Sequence, residues 1–264
     1  MVKDQPPDVV SPSEFLQLAG HPVRWRLLLE LAHSDRMVHE LTELVGESQN
    51  LVSYHLGKLR DGCLVSARRS SADRRDTYYT VDLRRIGAGL SATGGALHPG
   101  LRLAPPSFVD APKGVATLLF LCTGNSARSQ MAEAFARARS GGVIKAYSAG
   151  SEPKPLHPNA VRAMRDEHGL DLTGHRSKHL DVFAAQRFDR VITLCDRVRE
   201  VCPEFPGRPQ TIHWSISNPV TGDPDEVTYP LFQKAAAELA KRVAFLLVAL
   251  ADQSPIPRTR RRKQ

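Results

Sequence analysis

The stretch Cys122-Thr-Gly-Asn-Ser-Ala-Arg128-Ser129 decides the fold of the C-terminal half of this sequence. An apolar run from Val115 to Leu121 leads into it, and a helical pattern from Ser129 to Arg139 follows. A short apolar run, a turn that contains glycine and a helical pattern together predict a strand, a loop and a helix.

The predicted loop has the residue types of an oxyanion site. Its backbone N–H groups can surround a tetrahedral anion in front of the positive end of the helix. The same field favours the thiolate of Cys122, a candidate nucleophile, and Arg128 can donate two parallel hydrogen bonds to the anion. The predicted oxyanion-binding residues are Thr123, Gly124, Asn125, Ser126, Ala127, Arg128 and Ser129. The alternative is a buried cysteine at a strand end and an ordinary surface arginine.

The loop and the residues after it, Gln130-Met131-Ala132-Glu133-Ala134, resemble the phosphate loop of the low-molecular-weight tyrosine phosphatase family. They match best the arsenate reductase branch of that family, and the resemblance extends over about residues 114–252. Strand and helix patterns alternate in this segment, which predicts a four-stranded parallel sheet with helices on both faces and the ligand at the carboxyl ends of the strands. The further predicted strands are Val143–Ser148, Asp189–Cys195 and Gln210–Trp214, and the further predicted helices are His157–His168, Ser177–Gln186 and Thr228–Leu250.

Two more cysteines are candidates for chemistry: Cys195 ends the predicted strand Asp189–Cys195, and Cys202 follows seven residues later. Their segment resembles that of the thioredoxin-coupled arsenate reductases, whereas a hydrolytic phosphatase needs neither cysteine. The resemblance implies that Cys122 forms a thiol–arsenate adduct, that Cys195 attacks the Cys122 sulfur as arsenite leaves, and that Cys202 then forms a disulfide with Cys195. Arg197 and Arg199 are expected to favour the thiolates of both later cysteines. The alternative is a pair of structural cysteines at a coincidental spacing.

This sequence departs from the family pattern at the position of the general acid. The family places an Asp-Pro pair after the last strand, where the aspartate protonates the leaving oxygen. The matching segment here, His213-Trp214-Ser215-Ile216-Ser217-Asn218-Pro219, has Asn218 in that place, and an amide is not an acid. Asp223, five residues further on and also followed by a proline, is the candidate substitute, although Asp-Pro is also typical of a simple turn.

The N-terminal half predicts a winged helix-turn-helix, an α+β fold. Four helical patterns are present: the first begins at Ser11, the second begins at His21, and the third and fourth cover Val38–Val45 and Ser48–Arg60. Two strand patterns follow, at Cys63–Arg68 and Thr77–Leu83. The polar face of the fourth helix would read a DNA major groove, and the arginines between the strands would contact phosphate. The predicted DNA-binding residues are Gln49, Asn50, Ser53, Tyr54, His55, Lys58, Arg68, Arg69, Arg74 and Arg75. The alternative is a solvated helix face and a charged loop.

The segments His21-Pro-Val-Arg-Trp-Arg-Leu-Leu-Leu and Leu51-Val-Ser-Tyr-His-Leu-Gly-Lys-Leu-Arg-Asp-Gly resemble the ArsR-type repressor family. That resemblance implies a homodimer on a DNA operator with two half-sites. Arsenite-sensing members often carry a Cys-x-Cys pair on the third helix, but this sequence reads His39-Glu-Leu-Thr-Glu-Leu-Val45 there. Cys63 is expected to pack in the core, and no metal site is expected.

Composition and the motif positions together predict the domain boundaries and the cellular compartment. We expect a winged helix-turn-helix at 11–90, a linker at 91–113 that a short dimerisation helix precedes, a reductase-like domain at 114–252 and a basic tail at 253–264. The net charge is +8, but residues 1–100 carry 12 basic and 12 acidic residues, so DNA binding depends on local clusters. With four cysteines, no signal peptide and no membrane span, a cytoplasmic protein is expected.

Three functions are consistent with these observations. The first is an arsenic-resistance protein that joins an ArsR-like regulator to a thiol-dependent arsenate reductase. It would use thioredoxin or a low-molecular-weight thiol such as mycothiol or glutathione as electron donor, and no cofactor. The second is a non-catalytic regulator that responds to an oxyanion or an arsenical, which Asn218 favours. The third is a tyrosine phosphatase fused to a DNA-binding domain.

Overall fold

The computed structural model describes residues 11–103, 116–221 and 223–251. The chain divides into two compact units on either side of residues 104–115. The predicted basic tail, 253–264, and residues 104–113 of the predicted linker lie outside the described residues. Among the helices that the structure describes, none has the length and apolar content needed to cross a bilayer.

The N-terminal unit is a winged helix-turn-helix. Its elements are α1 (Pro12–Ala19), α2 (Pro22–His33), β1 (Arg36–Met37), α3 (Val38–Val45), α4 (Gln49–Asp61), β2 (Val65–Arg69), β3 (Thr77–Val81) and α5 (Leu83–Leu97). The apolar stripes of the helices meet in a core around Leu27, Leu41 and Leu56, all fully buried. The sheet is antiparallel in the order β1-β3-β2, and the two-residue strand β1 was not predicted.

Two expectations about the fold of this unit were wrong. Cys63 does not pack in the core, since it is exposed in the turn after α4 with φ 56°. The predicted linker begins too early, because α5 continues to Leu97 and a 3-10 turn follows at Pro99–Leu101. A helix does precede the linker, as expected, but it is longer.

The C-terminal unit is a four-stranded parallel sheet flanked by helices. Its elements are β4 (Thr117–Cys122), α6 (Arg128–Arg139), β5 (Lys145–Gly150), α7 (Pro158–His168), β6 (Arg190–Thr193), α8 (Asp196–Glu200), β7 (Gln210–His213) and α9 (Asp225–Ala251). The strand order is β5-β4-β6-β7, so β4 lies between β5 and β6. Cys122 therefore ends an inner strand, beside Gly150 of β5 and close to the end of β6.

All four predicted strands and three of the four predicted helices are present. The helix predicted at Ser177–Gln186 is wrong, since that segment holds only a 3-10 turn at Leu180–Phe183. The short helix α8, between Cys195 and Cys202, was not predicted.

Candidate functional site

Backbone amides outside the loop between β4 and α6 hold it by donating hydrogen bonds to its carbonyl groups. The amides of Glu152, Lys154 and His157 donate to the carbonyls of Thr123, Gly124 and Ser126 respectively, each at 2.9 Å. Every peptide bond described is trans, so the N–H of each following residue points away from that carbonyl. Within the described part of the chain, the amides of residues 123–128 donate no hydrogen bond. The loop therefore presents a set of free N–H donors on its inner side, as the sequence predicts for an oxyanion site.

Gly150 makes this tight loop sterically feasible. A Cβ atom at this position would lie 2.4 Å from the carbonyl oxygen of Thr123 and 2.8 Å from the amide nitrogen of Asn125. Both contacts are with backbone atoms, which cannot rotate away as a side chain can. No local sequence pattern marks this glycine, and only the strand register shows that it lies beside Cys122.

Asn125 is the internal anchor of the loop. It is fully buried with φ 42°, a conformation that asparagine tolerates better than most residues. Its side-chain amide donates to Ser129 Oγ at 2.8 Å and to Ser148 Oγ at 2.9 Å. Its Oδ1 accepts from the Gln130 side chain at 3.2 Å and from the Lys178 amide at 2.8 Å. All four hydrogen-bonding positions of the side chain are used, which fixes the loop conformation.

The same network orients a proton donor toward Cys122. The Cys122 sulfur lies 3.0 Å from Ser129 Oγ. Because Ser129 Oγ already accepts from Asn125, its own hydrogen is available to the sulfur. A hydroxyl that can donate a hydrogen bond to the sulfur holds it at the start of the loop, so the arrangement suits a nucleophile.

Only one of the three guanidinium nitrogens of Arg128 makes hydrogen bonds within the described residues. The residue is 7% exposed, and Nη1 donates to the carbonyl oxygens of Ile216 at 2.9 Å and Leu194 at 3.5 Å. Toward the other described residues, Nε and Nη2 make no hydrogen bond. Two donors in a rigid fork therefore remain for the oxygens of an anion.

Cys195 lies against the loop. Its sulfur is 3.2 Å from the Thr123 hydroxyl, and the residue is 2% exposed. This contact follows from the sheet, because β6 pairs with β4 and ends at the same edge. The structure thus brings the second predicted cysteine to the residue next to the first.

Cys202 lies at the far end of α8 and behaves differently. Burial raises the pKa of its thiol to about 11. The expectation that Arg197 and Arg199 favour its thiolate is therefore wrong in this conformation, since desolvation of the sulfur dominates. All four cysteines are free.

Within the described residues, neither Asn218 nor the candidate acid Asp223 makes a hydrogen bond to the loop. Asn218 is exposed and its side-chain amide donates to the Val220 carbonyl at 2.6 Å. Asp223 is also exposed, and its carboxylate accepts from the Thr221 hydroxyl at 2.8 Å. Asp223 thus remains a prediction.

The predicted DNA-binding residues of α4 lie mostly on one exposed face. The exposed residues are Gln49, Asn50, Ser53, Tyr54 and Lys58. His55 is the exception and the prediction for it is wrong, since it is only 4% exposed. Its ring packs 4.4 Å from the His21 ring, and burial, reinforced by His21, lowers its pKa. The pattern failed there because position 55 lies at the border between the two faces of the helix.

The wing between β2 and β3 carries the predicted arginines. Arg69, Arg74 and Arg75 are exposed, and Arg68 is half-buried. Arg75 pairs with Asp73 at 2.6 Å, and its hydrogen bonds lower the pKa of that carboxyl to about 2. The charge of Arg75 is therefore partly compensated within the wing.

Comparison with known proteins agrees with both halves of this description. Residues 117–255, more than half of the chain, match the family model of the low molecular weight phosphotyrosine protein phosphatases. The chain belongs to that family. Residues 21–67 match the model of the bacterial regulatory proteins of the arsR family.

The similar proteins of this family include arsenate reductases. An arsenate reductase of Halalkalibacterium halodurans is 39% identical over 127 residues, which is 48% of this chain and 91% of that protein. One from Bacillus licheniformis is 40% identical over 128 residues, with 48% and 91% covered. A solved arsenate reductase in the phosphate-binding state is 32% identical, with 52% of this chain and 99% of that chain covered and a TM-score of 0.45.

Proposed function

We propose that this family member reduces arsenate to arsenite through Cys122, Cys195 and Cys202, and that its arsR-type unit binds DNA. The observation that carries the proposal is the contact between the Thr123 hydroxyl and the Cys195 sulfur. A second thiol therefore lies against residues 122–129, which we call the oxyanion loop. Hydrolysis of a phosphate ester does not need a second thiol. The arsenate reductases among the relatives support the same activity.

Catalysis begins when the loop amides and the Arg128 Nε and Nη2 atoms bind the oxyanion. The Cys122 thiolate attacks arsenic, so that an As–S bond forms and an As–O bond breaks. The leaving hydroxyl takes up one proton from solvent and departs as water. The Cys195 thiolate then attacks the Cys122 sulfur. An S–S bond forms, the S–As bond breaks with its electron pair on arsenic, and arsenite leaves.

The third step transfers the disulfide away from the loop. The Cys202 thiolate attacks Cys195, a Cys195–Cys202 disulfide forms and the Cys122 thiolate is released. The five-residue helix α8 separates these cysteines, and at about 1.5 Å per residue it alone spans about 7 to 8 Å. A disulfide needs Cα atoms within about 7 Å, so α8 unwinds before this step. Thioredoxin or a low-molecular-weight thiol in the cytoplasm then reduces the disulfide.

Mass spectrometry of the protein after reaction with arsenate tests these assignments. The unsubstituted chain should accumulate a Cys195–Cys202 disulfide, and Cys202→Ser should trap a Cys122–Cys195 disulfide instead. Cys63→Ser is the matched control and should react normally, because Cys63 belongs to the other unit. If Cys122→Ser still oxidises thiols in an arsenate-dependent manner, the mechanism is wrong.

For the N-terminal unit, the proposal is that a homodimer places the exposed face of α4 in two successive major grooves of an operator. The exposed wing arginines would contact phosphates. Arg74→Ala should weaken operator binding and lower the slope of log K against log salt by about one. Lys145→Ala, an exposed cation on β5, is the control and should leave the slope unchanged.

A second candidate function is a regulator that binds an oxyanion without turnover, and Asn218 in the position of the family's acid favours it. It requires an oxyanion-dependent change in operator affinity while every cysteine stays reduced. A phosphatase would instead hydrolyse an aryl phosphate after Cys195 and Cys202 are both replaced by serine.

A further inference from the structure

A cluster of buried polar side chains lies behind the site and has no role in the chemistry above. The Thr193 hydroxyl is 2.8 Å from His213 Nδ1, and His213 Nε2 is 3.2 Å from Asp196 Oδ1. The Ser215 hydroxyl donates to the same carboxylate oxygen at 2.6 Å. The four residues are between 0% and 5% exposed.

The cluster joins two segments of chain that both contact the reactive groups. Thr193 and Asp196 enclose Leu194 and Cys195 at the end of β6. His213 ends β7, and Ser215 follows it and precedes Ile216. The Leu194 and Ile216 carbonyls are the two acceptors that hold Arg128 Nη1. Cys195 is the residue whose sulfur contacts Thr123.

Stability alone does not account for such a cluster. Burying a carboxylate beside an imidazole costs desolvation free energy that the pair recovers only in part, and apolar side chains of similar volume often stabilise a fold as well or better. What the cluster adds is fixed geometry: Asp196 contacts the last residue of β7, His213, and Ser215 just beyond it, and these contacts hold the turn at residues 194–195 in place. Asp196 also begins α8, so the first residue of that helix stays fixed while the Cys202 end unwinds.

We propose that Asp196, held by His213 and Ser215, is a positioning residue that sets both the Arg128 guanidinium and the Cys195 sulfur at the oxyanion loop. This inference rests on the proposed reduction for its Cys195 half, whereas the Arg128 half concerns anion binding alone. Loss of the cluster therefore weakens oxyanion binding and slows disulfide formation in the same variant.

The test compares Asp196→Ala, Asp196→Asn and Ser215→Ala in the full-length protein. Asp189→Asn is the matched control, because Asp189 accepts from the Thr117 amide at 2.8 Å between the same two strands but at their opposite end. Calorimetry with inorganic phosphate measures anion affinity. Rapid quenching in a Cys202→Ser background measures the rate of Cys122–Cys195 disulfide formation, and thermal melts report folding.

A displacement of about 1 Å can cost about 10²-fold, so Asp196→Ala should lose at least about tenfold in both affinity and rate. Asp196→Asn, which keeps an acceptor oxygen, should recover part of both, and Ser215→Ala should lose less than Asp196→Ala. If Asp196→Ala does not fold, Asp196→Asn and Ser215→Ala decide the matter, and a folded variant of either kind that binds phosphate and forms the disulfide as Asp189→Asn does overturns the inference. If the unsubstituted protein does not oxidise with arsenate, the proposed function fails, and phosphate affinity alone still tests the role of Asp196.

Discussion

The oxyanion loop, residues 122–129, and the cysteine segment, residues 195–202, lie at the same edge of one sheet but are built in opposite ways. The loop is locked, since Asn125 uses every hydrogen-bonding position and the carbonyls of Thr123, Gly124 and Ser126 are bound from outside. The segment is tied at Asp196 by two side chains, and at its other end the Cys202 sulfur contacts the neighbouring Pro203 carbonyl. The difference fits the two tasks of the proposed mechanism, because anion binding would need a preorganised cradle and disulfide transfer would need a segment that moves.

The largest expected effect comes from removing the planar guanidinium of Arg128. Arg128→Lys keeps the charge but cannot donate two parallel hydrogen bonds, so arsenate turnover should fall by about 10³. Arg139→Lys, at the other end of α6, is the control and should retain turnover. Steady-state kinetics measures both variants. A loss of less than tenfold in Arg128→Lys would mean that the loop amides bind the anion alone.

A smaller loss is expected from crowding the loop. Gly150→Ala places a methyl group against the Thr123 carbonyl and the Asn125 amide, which shifts the backbone and should cost about 10² in turnover. Gly174→Ala is the control, because an added Cβ there meets nothing within 4 Å. If both variants have the same kinetics, the loop is more pliable than its hydrogen bonds indicate.

The cysteine segment is probed by the reactivity of Cys202. With its pKa raised from 9.0 to about 11, its thiolate is about 10² less abundant at neutral pH than that of an ordinary cysteine. Iodoacetamide should therefore label Cys202 far more slowly than Cys63, the exposed internal reference. The labelling rate of Cys202 should rise about tenfold per pH unit up to about pH 11. Equal labelling at pH 7 would mean that α8 is largely unwound before any oxidation.

The same raised pKa makes folding stability depend on pH in a definite direction. Folded Cys202 keeps its proton where the unfolded chain has lost it, so its contribution to stability is fully present below about pH 9. The contribution is lost as the pH rises through about 11. Denaturant melts of the unsubstituted protein and of Cys202→Ala between these pH values should converge as the pH rises.

The smallest effect is expected from the hydroxyl beside the nucleophile. Ser129→Ala removes the hydrogen bond to the Cys122 sulfur, and the rate of the first chemical step should fall about tenfold. Phosphate affinity, measured by calorimetry, should change little, because the amides and Arg128 remain. An equal fall in both quantities would show that Ser129 holds the loop rather than the thiolate.

The sequence predicted the fold where local patterns are strong. The run into Cys122 and the helix after it were placed correctly because apolar periodicity and a glycine turn are local properties. The helix expected at Ser177–Gln186 is wrong, since the start of this segment holds the loop instead: the Ser177 hydroxyl donates to the Asn125 carbonyl at 2.9 Å, and the Lys178 amide donates to the Asn125 side chain at 2.8 Å. His55 failed for a related reason, because helical spacing alone does not say which side chain at the border of a face packs against His21.

By itself, the sequence determined two domains, a cysteine-containing loop between a strand and a helix, and the two later cysteines, because each of these depends on residues close together along the chain. Only the tertiary structure decided which groups meet at the edge of the sheet. Gly150 lies against the loop, Thr123 contacts Cys195, and Asp196 is held by His213 and Ser215. Strand order and register bring residues dozens of positions apart within hydrogen-bonding distance, and no local pattern encodes that pairing.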